Sequence, residues 1–275
     1  MDTRSFKGET LRLASFVSKL QFSDLPGEVV NHIKLCILDT IGCGLFGSAL
    51  PWGQLMARFV EAQAGVLESS VWGHGVKVPS ANAALANGTM VHGFELDDLH
   101  KGGIVHPGST TVTAALAVAE GKRNVSGADL LTAVVAGYEL AARVGMSVGV
   151  SHLVAGFHPT GTCGTFSAGA AAARVLGVDE MTTANCLGIA GTQGRHKVTV
   201  EVRHRNGSLL TETVEHGKGS PRYPLTGDEV RGKFRILAEK ARSKNEVEQL
   251  VDIIDGLERL ADISDLSAIL SIGAN

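Results

Sequence analysis

The chain has 275 residues, of which 44% are hydrophobic, 19% charged and 5% aromatic, with 34 glycines and a formal net charge of −3. That composition is globular and long enough for one large or two modest domains, which excludes disorder and collagen-like structure. The near-neutral balance, with an isoelectric point of about 6.4, supplies no basic field, so nucleic acid is not an expected partner.

The N-terminal residues mix Asp2 and Glu9 with Arg4, Lys7 and Arg12 and hold no uninterrupted apolar core. They resemble neither a signal nor a transit peptide, and the expected location is the cytoplasm. Apolar residues at helical spacing predict helices over Val29–Leu45, Ser80–Leu99, Thr110–Glu120, Gly127–Val148, Thr160–Leu176 and Thr182–Ala190. Their packing faces are Ala, Gly, Val and Leu, small enough for close helix approach. Ser126 and Asp179 are expected helix starts and Gly177 an expected stop. The stretch Val144 to Ala173 holds no Asp, Glu, Lys or Arg, yet it contains His152, His158, Pro159 and a polar Thr-Gly-Thr-Cys-Gly run. A membrane span is therefore not expected there. Cys36, Cys43, Cys163 and Cys186 are scattered without a CxxC pair, and are expected to be reduced core thiols.

Charge divides the chain: residues 1–194 carry 27 charged residues and residues 195–275 carry 26. The period changes at the same place. Val198, Val200 and Val202 alternate with polar residues, Asn206-Gly207 suits a two-residue turn, and Leu209 to Val214 supplies a returning strand. This predicts a β-hairpin, marginal alone and so a fragment of a larger sheet. Thr226 with Glu229 and Asn245 with Glu248 are expected capping boxes opening the last two long helices. In the second, Val247, Leu250, Val251, Ile254, Leu257 and Leu260 form a stripe that must pack on the bundle. The expected fold is mainly α, with an all-α helical domain over 1–194, a reduced α/β segment with the hairpin over 195–243, and helices returning to the helical domain over 244–275.

Chemistry concentrates in HGFELDDLHKGGIVHPGS, where His92, Glu95, Asp97, Asp98, His100 and His106 fall between two apolar helices. Clustered carboxylates and imidazoles supply a proton acceptor and a donor whose pKa values neighbours shift toward neutrality. A solvated, charged helix end is the competing reading of the same string. No two-His-plus-carboxylate spacing falls on a single helix, so no metal is expected. His106-Pro107-Gly108-Ser109 opens a helix whose N-terminus suits a carboxylate, and GFHPTGTCGT repeats the arrangement at His158 through Thr160 and Gly161. There is no GxxxxGK[ST], no GxSxG and no dinucleotide fingerprint around Gly73-His74-Gly75, so no cofactor is expected.

CILDTIGCGLFGSAL, SANAALANGTMVHGFELDDLH with its following HPGS, GFHPTGTCGTFSAGAAAARVLG, GIAGTQG and HGKGSPRYPLTGDEVRGKF together resemble the MmgE/PrpD family, which includes 2-methylcitrate dehydratase, cis-aconitate decarboxylase and iminodisuccinate epimerase. The resemblance implies a large all-α domain and a smaller α/β domain, a homodimer, and metal-free chemistry on a small di- or tricarboxylate. It assigns catalysis to Glu95, Asp98, His106 and His158. Asp97, His100, Lys101, Ser109 and Thr160 are the expected substrate-binding residues. The implied reaction is that of a 2-methylcitrate dehydratase-like lyase, with decarboxylase, epimerase, or a shortened inactive relative acting as a helical dimer or binding protein as alternatives. Two departures are visible. Leu99 stands where relatives often carry a hydroxyl residue, and Arg195 follows GIAGTQG directly, so most of a small domain and its site lysine have no counterpart.

Overall fold

A computed structural model describes residues 8–193 and 225–271. Among the described residues the fold is carried by eleven α-helices, with two short strands. In chain order these are α1 (Glu9–Lys19), α2 (Gly27–Ser48), α3 (Pro51–Ala62), β1 (Ser69–Val71), β2 (Val76–Val78), α4 (Ser80–His92), α5 (Pro107–Lys122), α6 (Gly127–Val154), α7 (Pro159–Leu176), α8 (Glu180–Gln193), α9 (Gly227–Ala238), α10 (Lys244–Asp255) and α11 (Ser264–Ser271).

The mainly α expectation holds, and each of the six expected helices is present with shifted ends. α2 and α5 begin before their apolar stripes, α2 at Gly27 after the Pro26 cap and α5 at Pro107, whose fixed φ suits the first helical position. α4 stops at His92 rather than running to Leu99, since Gly93 ends it and Glu95 takes a left-handed φ of 55°. α6 continues to Val154 across a break at Gly149, where φ is 60° and ψ −167°. The stops and caps at Ser126, Gly177 and Asp179 lie where expected: Ser126 Oγ accepts from the Asp129 N–H at 3.1 Å, Asp179 Oδ1 from the Thr182 N–H at 2.7 Å, and Gly177 is left-handed. α1 and α3 were not expected. α1 is only partly covered, with Ala14 and Val17 buried against Ala136, Leu140, Ala170 and Leu187.

The expected hairpin over Val198 to Val214 lies outside the described residues. The sheet that is present pairs β1 with β2 antiparallel, Ser69 opposite Val78 and Val71 opposite Val76. Gly73 and Gly75, both at positive φ, turn the chain between them. The capping box at Thr226 and Glu229 forms as expected. That of α10 is corrected to Ser243 and Glu246, two residues earlier than Asn245 and Glu248, because the serine hydroxyl accepts from the Glu246 N–H and the carboxylate returns to the Ser243 N–H.

One core joins both ends of the chain. Ile37 and Ile41 of α2 and Leu130 and Leu131 of α6 share it with Phe234, Leu237, Val247, Leu250, Ile254, Leu257, Leu266 and Leu270. Val247, Leu250, Val251 and Ile254 of the expected stripe face it from α10, while Leu257 opens the 3₁₀ turn that follows and Leu260 caps its end. Close approach replaces bulk where α2 meets α4: a Cβ on Gly47 would run into the Met90 carbonyl. By length and composition α2 and α6 could each cross a membrane, but most of α2 is buried inside the protein. All four cysteines are free, Cys43 and Cys163 buried and Cys36 and Cys186 half-buried.

Candidate functional site

Three helix ends converge on one spot. α4 delivers His92 from its last turn, and His106 and His158 are the N-caps of α5 and α7. In both His-Pro pairs the proline fixes the first helical φ and biases the preceding histidine toward extended backbone, so the imidazole leaves the helix at its entrance. Thr160 ties the two entrances together by accepting the His106 N–H at 3.1 Å. His152 secures the approach to His158, with Nε2 2.7 Å from Thr162 Oγ1 and its ring stacked on Phe157.

The loop between α4 and α5 supplies the carboxylates. Asp97 is completely covered at its side chain and stands between two imidazoles, Oδ1 lying 3.1 Å from His92 Nδ1 and 3.1 Å from His106 Nδ1. Glu95, 64% exposed at its side chain, reaches both rings from the solvent side, at 3.4 Å from His92 Nε2 and 3.5 Å from His106 Nε2. His92 Nε2 then lies 3.0 Å from His158 Nε2, with the two rings stacked.

The electrostatics separate the imidazoles. Burial alone would depress His106, but the Asp97 hydrogen bond and charge, with Glu95 and Asp98, reverse this and raise its pKa above the ordinary histidine value. His158 moves the other way, lowered by burial and by the neighbouring His92. Asp97 resists its own burial because both imidazoles stabilise its charged form, and its pKa is lowered. The arrangement therefore favours the protonated form at His106 and the neutral form at His158, so the two imidazoles are tuned in opposite directions.

The remaining expected residues are placed differently. Asp98 makes no hydrogen bond or ion pair with the three imidazoles. Its Oδ1 accepts the Gly108 N–H at 3.0 Å, and a Cβ on Gly108 would collide with Asp98, Thr40 and the Tyr138 hydroxyl. There, burial and the Asp39 and Asp97 charges push its pKa up to about 7. Ser109 is buried and donates to the His106 carbonyl at 2.9 Å. His100 accepts the Gly103 N–H at Nδ1 and lines a separate cleft of about 490 Å³ with His32, Tyr138 and Glu139. Lys101 is exposed in the turn after it and has no ion pair among the described residues. Spacing along a single helix was the wrong test for a metal set. Across elements, His92, Asp97 and His106, and likewise His92, Glu95 and His158, bring their donor atoms within 4.8 Å of one another, a spacing that a divalent cation would also accept.

His92 was not among the expected catalytic residues, although it lies in the same string. Its signal is position, as the last residue of an apolar helix facing an Asp five residues on. Lys233 and Asp39 were also missed. Lys233 Nζ lies 2.7 Å from Asp39 Oδ1 and donates to the Leu96 carbonyl. A lone carboxylate in the apolar run CILDTIGCG was the readable sign.

The profile of the MmgE/PrpD N-terminal domain matches residues 11–218. The chain belongs to the MmgE/PrpD family. Among MmgE/PrpD relatives, it is 36% identical over 191 residues to the cis-aconitate decarboxylase-like protein oryM of Aspergillus oryzae, covering 67% of this chain and 40% of that protein. It is 29% identical over 241 residues to the cis-aconitate decarboxylase of Aspergillus terreus, covering 86% of this chain and 48% of that protein. With human cis-aconitate decarboxylase it shares 29% identity over 191 residues, or 67% of this chain and 39% of the human protein. The chain thus spans less than half the length of these MmgE/PrpD relatives.

Proposed function

We propose that this chain carries the imidazole–carboxylate site of a metal-independent lyase acting on a small di- or tricarboxylate. Decarboxylation is the favoured reaction, because the relatives above are named for it. The observation that carries the reading is the geometry of the cluster: the buried Asp97 lies 3.1 Å from both His92 and His106, and His92 lies 3.0 Å from His158. In an allylic decarboxylation the C–C bond to the departing carboxylate breaks and its electron pair forms a new C=C. The old π pair then takes a proton at the carbon α to a second carboxylate, and CO₂ leaves. Protonated His106 would supply that proton, and Glu95 would hold its ring. A dehydratase of the 2-methylcitrate type would use the same groups in the other order, with His158 taking the α proton and His106 protonating the departing hydroxide.

A second reading is a relative that binds carboxylates without turning them over, favoured by Lys101, the lysine nearest the site in sequence, being exposed with no ion pair among the described residues. Cytoplasmic location and a homodimer belong to the first proposal, the latter testable by sedimentation. The deciding experiment is proton NMR of the purified chain in D₂O with cis-aconitate, 2-methylcitrate, citrate and aspartate-derived compounds. The expected result is product carrying one deuterium α to a carboxylate. Binding without exchange or product, from a cooperatively folded sample, would overturn the lyase in favour of the second reading.

A further inference from the structure

We propose that Lys233, on α9, is a positioning residue that sets the carboxylate loop and, through Asp97, the imidazoles of the site; this rests on the proposed lyase reading. Lys101, within the loop itself, makes no such contact among the described residues, whereas Lys233 reaches it from 137 positions away. Its ammonium bridges Asp39 Oδ1 on α2, at 2.7 Å, and the carbonyl of Leu96, the residue immediately before Asp97. The bridge is largely enclosed, with side-chain exposures of 24% for Lys233 and 10% for Asp39.

The anchor is fixed by packing. Phe234, the next residue, is fully buried, and a Cβ on Gly42 would come within 3.0 Å of its ring, so α9 has little freedom to slide along α2. The loop it holds is the part of the site least able to hold itself. Glu95 sits at positive φ and Ile104 likewise, conformations that surrounding contacts must enforce. Asp97 follows Leu96 directly, and its Oδ1 is the atom 3.1 Å from both His92 Nδ1 and His106 Nδ1. Shifting the Leu96 carbonyl therefore shifts both rings.

The test compares Lys233→Met with the double variant Lys233→Met/Asp39→Asn. The single change leaves a buried carboxylate unpaired and is expected to lower Tm; the double variant removes that charge and is expected to recover it. The readout is the His92 Nδ1–H proton, which a hydrogen bond to Asp97 shifts downfield in NMR. If Lys233 positions the loop, this resonance is lost or moved in both variants. In that case kcat of the refolded double variant with any active substrate stays down by about 10²-fold, the scale of a misplacement near 1 Å. Recovery of the resonance together with Tm in the double variant would reduce Lys233 to neutralising Asp39 and overturn the proposal. An unmoved resonance in a folded Lys233→Met would overturn it equally. Absence of turnover in the unmodified chain, with the resonance still moved by Lys233→Met, would count against the lyase alone.

Discussion

His92 Nε2 and His158 Nε2 face each other at 3.0 Å, so a single proton must serve both nitrogens. With His92 Nδ1 held by Asp97, the pair forms a line from a buried carboxylate to an exposed imidazole. Removing His92 takes away one of the two main causes that lower His158. The His158 pKa of His92→Gln, followed by NMR titration, is expected to rise toward the ordinary histidine value; an unchanged or lower value would break the link.

Alanine at His106 is expected to lower turnover by about 10²–10⁴, the usual worth of positioned proton transfer, and alanine at His158 to do so only if the reaction is the dehydratase's. Measured kcat and KM separate this from lost binding, since a change in KM alone would take the residue out of the proton path.

The pH profile of kcat/KM separates the two reactions. Decarboxylation needs only the protonated acid His106, so activity falls as pH rises past its raised pKa; the dehydratase also needs a neutral His158, so activity falls in addition below its lowered pKa. The expected profile has the single high-pH limb, and a bell would overturn the decarboxylase in favour of the dehydratase.

Asp98 makes a stability prediction. Its folded pKa of about 7 lies above the unfolded carboxylate value, so the folded state holds the extra proton. Its contribution is fully present below the unfolded pKa and is lost as pH rises through about 7. Asp98→Asn imitates the protonated form and still accepts from Gly108. Thermal melts are expected to show little difference from the parent at low pH and a higher Tm for the variant above neutrality.

Chelation separates acid–base from metal chemistry. EDTA is expected to leave turnover unchanged, while excess Zn²⁺ is expected to inhibit by occupying His92, Glu95 and His158, whose donor atoms lie within 4.8 Å of one another. Loss of activity on chelation, restored by metal, would overturn the metal-independent reading.

The sequence carried the helices well because their stripes of Ala, Val and Leu repeat along one face, and Asp179 and Gly177 have local signatures that do not depend on packing. It misplaced the α10 cap because Ser243 and Asn245 are both good N-caps, and only the helix register chooses between them. It placed Asp98 with the catalytic imidazoles and Asp97 with the substrate, although neighbours on an extended loop point apart. One meets two imidazoles and the other the first turn of α5. Lys233 was illegible because its partners are far away in sequence and belong to a backbone carbonyl and a buried carboxylate.

The core shared by α2 and α9 has a bearing on how the chain is made. Lys34, buried on α2, donates to the Asp255 carbonyl at 2.9 Å and pairs with Glu258 at 3.1 Å, so one face of α2 meets partners that lie 221 positions and more further along the chain. Until those partners have been synthesised, that face is bare hydrophobic surface on a nascent polypeptide. Synthesis stalled before α9 would then leave a client for chaperones, with closure of this core waiting on α9 and α10.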